Sequence, residues 1–186
     1  MSVVPLYSFE DALKSAEIKL TKVLSKCCRI LVKRRLDEDS IKEIQTIENK
    51  TFRHELRYTV EELISRGQEE DFLLLLVLYE NHPIAFLHGY NDPSEESAFF
   101  LDTVATVLEG RGIGSLLVTL TLLYGFEKGY KSVTLRTEEE DEKGRKLKRF
   151  YENLGFEVFP CNPSEGIAMR RKLNLQDIQA VSKVLK

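Results

Sequence analysis

Apolar positions along this chain fall into short uninterrupted runs in the middle and helical repeats on either side. Residues 72–79 form a continuous apolar run, which is typical of a buried strand. Further runs at 84–90 and 97–107 follow, separated by turn-forming residues at 80–83 and 91–94. Consecutive strands joined by short turns predict an antiparallel meander.

Helical patterns precede the meander. Apolar residues three and four apart predict a helix over 9–28, followed by a strand at 28–32. Two capping boxes, which mark helix starts, come next, and Gly67 is expected to close the second of these helices in the C′ position. The capping boxes consist of Ser40 with Glu43 and of Thr59 with Glu62. The apolar face of the first helix consists of Leu13, Ala16, Leu20, Val23, Leu24 and Cys27.

After the meander, a glycine-rich segment at 108–115 separates the third strand from a helix over 115–127. The next strand is predicted at 131–137. Because a helix connects it to the strand at 97–107, these two strands should lie parallel to each other. The remaining predicted elements are helices at 144–153 and 175–185 and strands at 156–159 and 169–173.

Together these elements predict one domain of the α/β (α+β) class, with a mixed, mostly antiparallel central sheet flanked by helices. The length of 186 residues suits a single domain with a sizeable core. The first helix is expected either to pack on this domain or to form the contact of a homodimer.

The charge balance excludes some classes of partner. With 27 basic and 30 acidic residues the net charge is −3, which gives no reason to expect nucleic acid or an anionic membrane as a partner. The longest apolar run is far too short to span a bilayer, and the N-terminal residues lack the apolar core of a secretory signal.

Cysteine and histidine usage indicates a reducing compartment and no metal site. The three cysteines, at 27, 28 and 161, are odd in number and include an adjacent pair, so we do not expect a disulfide framework. The histidines, at 54, 82 and 88, are scattered and offer no zinc spacing. We therefore expect a cytoplasmic protein without a bound metal.

The glycine-rich segment is the main candidate for chemistry. Gly110, Gly112 and Gly114 occupy alternate positions where a strand turns into a helix, and the free N–H groups of a helix N-terminus form a site for phosphate. The lysine of a Walker A loop is missing, and the G-x-G-x-x-G spacing of a dinucleotide-binding turn is not matched. A tight turn without a ligand is the remaining alternative.

Two motifs and the order of the elements resemble the GCN5-related N-acetyltransferase (GNAT) superfamily. The family's pyrophosphate-loop motif, Q/R-x-x-G-x-G/A, matches residues 109–114 except at its first position, and its Y-x-x-x-G-F segment matches residues 151–156. The resemblance covers residues 29–173. It leaves 1–28 as an N-terminal helical extension and 174–186 as a C-terminal helix.

This resemblance implies acetyl-CoA as the cofactor and an N-acetyltransferase activity toward a primary amine, by direct attack in a ternary complex. It implies that the pantetheine lies along the strand before the loop, that the amide of Val104 polarises the thioester carbonyl, and that Tyr151 donates a hydrogen bond to the leaving thiolate. The cofactor-binding residues implied are Thr103, Val104, Thr106, Glu109, Gly110, Arg111, Gly112, Ile113, Gly114, Ser115 and Tyr151.

The sequence departs from the family pattern at two positions. Glu109 stands where the family usually has Gln or Arg, and a carboxylate near pyrophosphate is unfavourable unless it faces solvent or pairs with a base such as Arg111. Gly144 stands where members often have Asn, in a loop about three residues longer than usual. A non-catalytic acyl-CoA-binding or regulatory module is therefore the alternative function.

The sequence does not identify the acceptor or the general base. Asp102 is one candidate base, and Glu138, Glu139, His88 and Tyr90 are the others. The acidic run at 138–142 could attract a cationic acceptor or could be a solvated loop. Residues 52–58 lie where such folds typically line the acceptor groove.

Overall fold

The computed structural model describes residues 8–185, which form one seven-stranded sheet with helices on both faces. The strands are β1 (Cys28–Lys33), β2 (Leu73–Tyr79), β3 (His82–Asn91), β4 (Ala98–Thr106), β5 (Ser132–Thr137), β6 (Glu157–Val158) and β7 (Ile167–Lys172). The α-helices are α1 (Phe9–Leu24), α2 (Glu38–Thr51), α3 (Val60–Gly67), α4 (Ile113–Glu127), α5 (Leu147–Asn153) and α6 (Leu175–Lys183). Two short 3₁₀ turns, His54–Leu56 and Pro163–Glu165, complete the described structure.

The sheet confirms the predicted fold class. Its strand order is β1-β2-β3-β4-β5-β7-β6, and the neighbouring strands are antiparallel except for β4 and β5, which are parallel as predicted. The predicted meander is β2-β3-β4. Its first turn is tighter than expected, because Glu80 and Asn81 alone make the connection, both with positive φ.

The helices divide between two faces of the sheet. The α4 face is covered by α1, α4 and α6, and its core includes Leu117, Val118 and Leu120 of α4. The α2 face is covered by α2 and α3, and the predicted apolar residues Ile41, Ile44 and Ile47 are buried there. None of the helices within residues 8–185 combines the length and apolarity that crossing a membrane requires.

Two predictions about helix ends on the α2 face are wrong. Asp37, rather than Ser40, caps α2, and its side chain accepts the Ser40 N–H at 2.8 Å, so the helix begins earlier than predicted. Gly67 does not have a positive φ, and a Cβ there would lie 3.1 Å from the Leu36 side chain. The Thr59–Glu62 capping box is confirmed.

Helix α1 packs on the domain. It ends at Leu24 rather than residue 28, because Ser25 adopts a left-handed conformation. Its buried residues are Phe9, Ala12, Ala16 and Leu20, and the Phe9 ring meets the Tyr124 ring of α4 edge-on. Val23 and Cys27, expected on the buried face, are exposed because they lie at or beyond the end of the helix.

The same helix covers the outer edge of β1. Strand β1 pairs only with β2 among the described strands, so half of its backbone N–H groups point away from the sheet. Glu17 accepts the Ile30 N–H at 2.8 Å, and the Thr21 hydroxyl accepts the Cys28 N–H at 3.0 Å. Side chains of α1 therefore satisfy edge groups that would otherwise be free.

Candidate active site

A gap between β4 and β5 is the central feature of the site. The two strands pair only where Ala98–Leu101 faces Ser132–Leu135, although both strands continue beyond these residues. Opposite β3, Asp102 is an extra residue, since Leu101 pairs with Gly89 and Thr103 pairs with His88. Such a bulge bends a strand, so β4 diverges from β5 from Asp102 onward.

The gap opens into a cleft of about 800 Å³, a size typical of small-molecule sites. Every cofactor-binding residue suggested by the sequence lines it except Arg111. The opposite walls come from the end of β5, the following loop and α5, and from the segment after α2. One cleft therefore brings together both family motifs, which lie far apart along the chain.

The glycine loop leaves the first turn of α4 open toward this cleft. Gly112 is the N-cap of α4 with a left-handed φ of 74°, and it has no side chain to cap the helix. The first helical bond joins the Leu116 N–H to the Gly112 carbonyl at 3.0 Å, which leaves the N–H groups of residues 113–115 without an intrahelical acceptor. These groups, together with the helix dipole, form an anion site.

The N–H group of Val104 points into the gap. Val107 donates its N–H to the Ile84 carbonyl of β3 at 2.8 Å. Because successive backbone groups point to alternate sides of a strand, the amide of Val104 faces away from β3. Thr106 shares this direction, whereas the backbone of Thr103 faces β3.

Tyr151 lies on the opposite wall, on α5, and is 9% exposed. Its ring packs edge-on against Phe150 and Phe156. Burial raises the pKa of Tyr151, so the phenol keeps its proton at neutral pH. The group can therefore donate a hydrogen bond into the cleft.

The Glu109 carboxylate is paired, but with a different base from the one suggested by the sequence. It lies 2.8 Å from Arg145 and 3.5 Å from Lys143, both in the loop before α5. Arg145 also pairs with Asp141. These cations offset the negative charge of Glu109 beside the glycine loop, and they reach it from the extended loop that contains Gly144.

The acidic run after β5 is largely paired with its own neighbours. Glu139 contacts Lys148 at 3.2 Å, and Glu140 pairs with Lys146. Glu138, Asp141 and Glu142 line the cleft, so part of the run faces it. Within residues 8–185 no cluster of three His, Cys, Asp or Glu side chains forms a metal site.

Asp102 is at the centre of a polar cluster on the α2 face. Its side chain is 7% exposed and lies 2.8 Å from Arg66 of α3. The Tyr58 hydroxyl donates to it at 2.8 Å, and the Tyr90 hydroxyl donates at 3.2 Å. Burial raises the pKa of Tyr58 to about 12 and also raises that of Tyr90, so both hydroxyls remain donors.

His88 completes this cluster from β3. Its Nδ1 lies 3.7 Å from Asp102, and its ring stacks on Phe86. Burial lowers the pKa of His88, so the ring is neutral at pH 7. His88 and Tyr90, two of the suggested bases, therefore contact Asp102, while Glu138 lies on the other side of the gap.

Three polar residues of this region were not predicted from the sequence: Glu48, Tyr58 as an individual residue, and Arg66. Glu48 occupies the apolar face of α2, four residues after Ile44, and is buried. A charged residue at a position where the helical repeat requires an apolar one is the signal that could have identified it. Arg66 gives a similar signal, because it lies three residues after the buried Leu63 on α3.

An open mixed sheet that diverges beside the uncapped N-terminus of a helix defines the acetyltransferase class of fold. The chain belongs to the acetyltransferase (GNAT) family, whose family model matches residues 39–156. The resemblance inferred from the sequence is therefore confirmed. A search of the curated proteins finds no match for this chain.

Solved structures with this fold include three N-acetyltransferases. The ribosomal-protein-S18-alanine N-acetyltransferase from Escherichia coli is 15% identical, with 78% of this chain and 95% of that chain covered at a TM-score of 0.62. The PaiA N-acetyltransferase from Thermoplasma acidophilum, in complex with coenzyme A, is 16% identical, with coverages of 77% and 99% and a TM-score of 0.62. An aminoglycoside 6′-N-acetyltransferase complexed with coenzyme A is 14% identical, with coverages of 78% and 97% and a TM-score of 0.64.

Proposed function

We propose that this protein is an acetyl-CoA-dependent N-acetyltransferase that transfers the acetyl group to a primary amine in a ternary complex. The observation that carries the proposal is the β4–β5 gap, which runs from the uncapped N-terminus of α4 to a wall bearing Tyr151. Family membership and the coenzyme A complexes of two structures with the same fold support it. In this proposal residues 29–173 form the acetyl-CoA-binding domain.

The backbone is the main cofactor-binding element. The free N–H groups of 113–115 bind the pyrophosphate, while Arg145 in the facing loop offsets the negative charge of Glu109 beside them. The pantetheine occupies the gap and forms hydrogen bonds with the open side of β4, at Val104 and Thr106. It thereby replaces the strand pairing that ends at Leu101.

The proposed reaction needs two contributions from the protein at the thioester. The neutral amine attacks the thioester carbonyl, and the Val104 N–H stabilises the oxyanion that forms. The C–S bond then breaks, the amine nitrogen releases its extra proton to solvent, and Tyr151 donates a hydrogen bond to the departing thiolate. Because burial raises the pKa of Tyr151, donation of a hydrogen bond is favoured over full proton transfer to sulfur.

Asp102 acts on the acceptor side in this proposal. Its side chain accepts hydrogen bonds from the Tyr58 and Tyr90 hydroxyls and pairs with Arg66. We therefore assign to Asp102 the orientation of the two hydroxyls and the attraction of a cationic amine. The role of general base, suggested for Asp102 by the sequence, remains a prediction that the Asp102→Asn variant tests below.

The phosphate site is tested by comparing Gly112→Ala with Gly129→Ala. Both glycines have a positive φ with open space where a Cβ would lie, and they stand at opposite ends of α4. Each variant should lose about 1 to 2 kcal/mol of stability from backbone strain. Only Gly112→Ala places a methyl group at the phosphate site, so only it should weaken coenzyme A binding, by about tenfold in calorimetry. Equal affinities for the two variants would contradict the proposed site.

The activity is tested by mixing the protein with acetyl-CoA and a panel of primary amines and by following thiol release. Release that depends on the amine supports the proposed function. Stabilisation by coenzyme A without release for any amine would instead indicate a non-catalytic acyl-CoA-binding module. Failure of coenzyme A to raise the melting temperature would overturn both.

A further inference from the structure

Glu48 is a buried carboxyl group that the proposed chemistry does not use. It lies on α2 and is 1% exposed. Its Oε2 atom accepts the backbone N–H of Tyr58 at 3.2 Å, while its buried Oε1 atom has no hydrogen-bond partner among the described residues. A carboxylate with one bond and no cationic contact is costly to bury, so its presence calls for an explanation.

A continuous series of contacts links Glu48 to the cleft. Tyr58, held by Glu48 through its backbone, donates its hydroxyl to Asp102 at 2.8 Å. Asp102 is the bulge residue two positions before Val104, the residue whose amide faces the gap. One helical turn after Glu48, Thr51 and Phe52 line the cleft directly.

Charged groups on the elements packed around Glu48 affect its ionisation. Arg57, beyond the end of α2, favours the ionised form, whereas Asp102 of β4 and Glu62 of α3 disfavour it. From α3 and β3, Arg66 is paired with Asp102, and His88 is neutral. Burial is the largest effect and raises the pKa of Glu48 to about 7.

We propose that Glu48 is a positioning residue that controls binding of the acceptor amine through Tyr58. Its ionised form holds the Tyr58 N–H by a charge-assisted hydrogen bond, which is stronger than the bond to a neutral carboxyl group. This fixes the segment between α2 and α3, which forms the acceptor side of the cleft. The inference rests on the proposed function, since it assigns the acceptor to this side.

The direction of the effect follows from charge. As the pH rises through 7, Glu48 gains a negative charge, which strengthens the hold on Tyr58 and also attracts an ammonium group. The KM for the amine should therefore fall about fivefold between pH 6 and pH 8, as expected for one buried charge acting across a few side chains. Because the attacking amine must be neutral, kcat rises over the same range for a separate reason, in the wild type and in Glu48→Gln alike. Acceptor amines with a pKa near 10 stay cationic in this window.

Folding stability should show the opposite trend. The pKa of Glu48 is raised in the folded protein, from 4.5 to about 7, so the folded state binds more protons than the unfolded state between these values. Stability from this group is fully present below pH 4.5 and is lost as the pH rises through 7. The melting temperature should fall across that window in the wild type.

The test compares the wild type with Glu48→Gln and, as a matched control in the same helix, Glu43→Gln. A glutamine at 48 still accepts the Tyr58 N–H but cannot titrate, whereas Glu43 is half-buried near Lys33. Acceptor KM is measured between pH 6 and pH 8, together with the NMR shift of the Tyr58 amide. We expect both to depend on pH in the wild type and in Glu43→Gln, and neither to do so in Glu48→Gln.

Two results would overturn the inference. One is an acceptor KM with the same pH dependence in Glu48→Gln as in the wild type. The other is a Tyr58 amide shift that does not titrate near pH 7 in the wild type, which needs neither turnover nor a folded variant. Absence of acetyl transfer by any variant, with a Tyr58 amide that does titrate, would instead refute the proposed function.

Discussion

The two faces of the sheet differ in the polarity of the residues that they bury. On the α4 face, α4 is apolar nearly all around and is buried under α1 and α6, with Leu117 and Leu120 at its core. On the α2 face, Glu48, His88 and Asp102 are buried among aromatic rings and aliphatic side chains. One face thus anchors the helix whose N-terminus is the proposed cofactor site, and the other keeps ionisable groups beside the proposed acceptor side of the cleft.

The buried ionisable groups are concentrated on the face that lines the proposed acceptor side of the cleft, although burying them costs folding free energy. Burying ionisable groups rarely improves stability over a well-packed apolar alternative, so their concentration beside a cleft points to function. At the centre of the α4 face the buried side chains of α4 are mostly apolar, and their packing, together with the hydrogen bond from the Tyr124 hydroxyl to Asp71, fixes the position of the helix. Substitutions of the buried apolar residues of α4 should therefore change stability alone, and those in the Asp102 cluster of the α2 face should change both stability and acceptor use.

The largest effect is expected from Leu117→Ala, in the centre of the α4 face. Leu117 is 0% exposed, so the substitution leaves a cavity and should lower the free energy of unfolding by about 4 kcal/mol. Chemical denaturation measures this loss. Ile64→Ala on α3, where the side chain is 46% exposed, is the control and should cost far less. Similar losses at the two positions would remove the distinction between packed core and surface.

Asp102→Asn is expected to have an intermediate effect on stability and a specific effect on the acceptor. It leaves Arg66, which is 29% exposed, without its charged partner and should cost about 2 kcal/mol, less than for a fully buried pair. Acceptor KM should rise while coenzyme A affinity is unchanged, as steady-state kinetics and calorimetry would show. A fall confined to kcat, with an unchanged KM, would instead favour Asp102 as the general base.

The smallest change in stability is expected for Tyr151→Phe, which keeps the packing against Phe150 and Phe156. Loss of one hydrogen bond to the thiolate should reduce turnover by about tenfold or more, with coenzyme A affinity within about twofold of the wild type. Presteady-state acetyl transfer measures the chemical step. Unchanged turnover would remove Tyr151 from the proposed mechanism.

Local patterns predicted much of the architecture. The apolar runs located the meander, and the helix between β4 and β5 predicted their parallel pairing. Where local signals competed, the prediction failed: Asp37 and Ser40 are both good cap residues, and in the structure Asp37 is the cap, while Ser40 lies inside the helix. The glycine motif was found because its spacing is local.

Properties that depend on two distant segments could not be predicted. The bulge at Asp102 is a mismatch between β3 and β4, so it exists only once the strands pair. The partner of Glu109 is Arg145, far along the chain, whereas the sequence suggested the neighbouring Arg111 as a partner. Glu48 was not predicted for another reason, because it is the one charged position on a helix face whose other buried residues are mostly apolar.

The contacts that α1 makes along β1 have a consequence for how copies of this protein meet. An edge strand with free N–H groups is a template on which another chain can add a strand, and repeated addition leads to aggregation. Here Glu17 and Thr21 occupy the outward N–H groups of Ile30 and Cys28. Helix α1, which lies outside the segment matched by the family model, thus hinders another chain from adding a strand at the β1 edge.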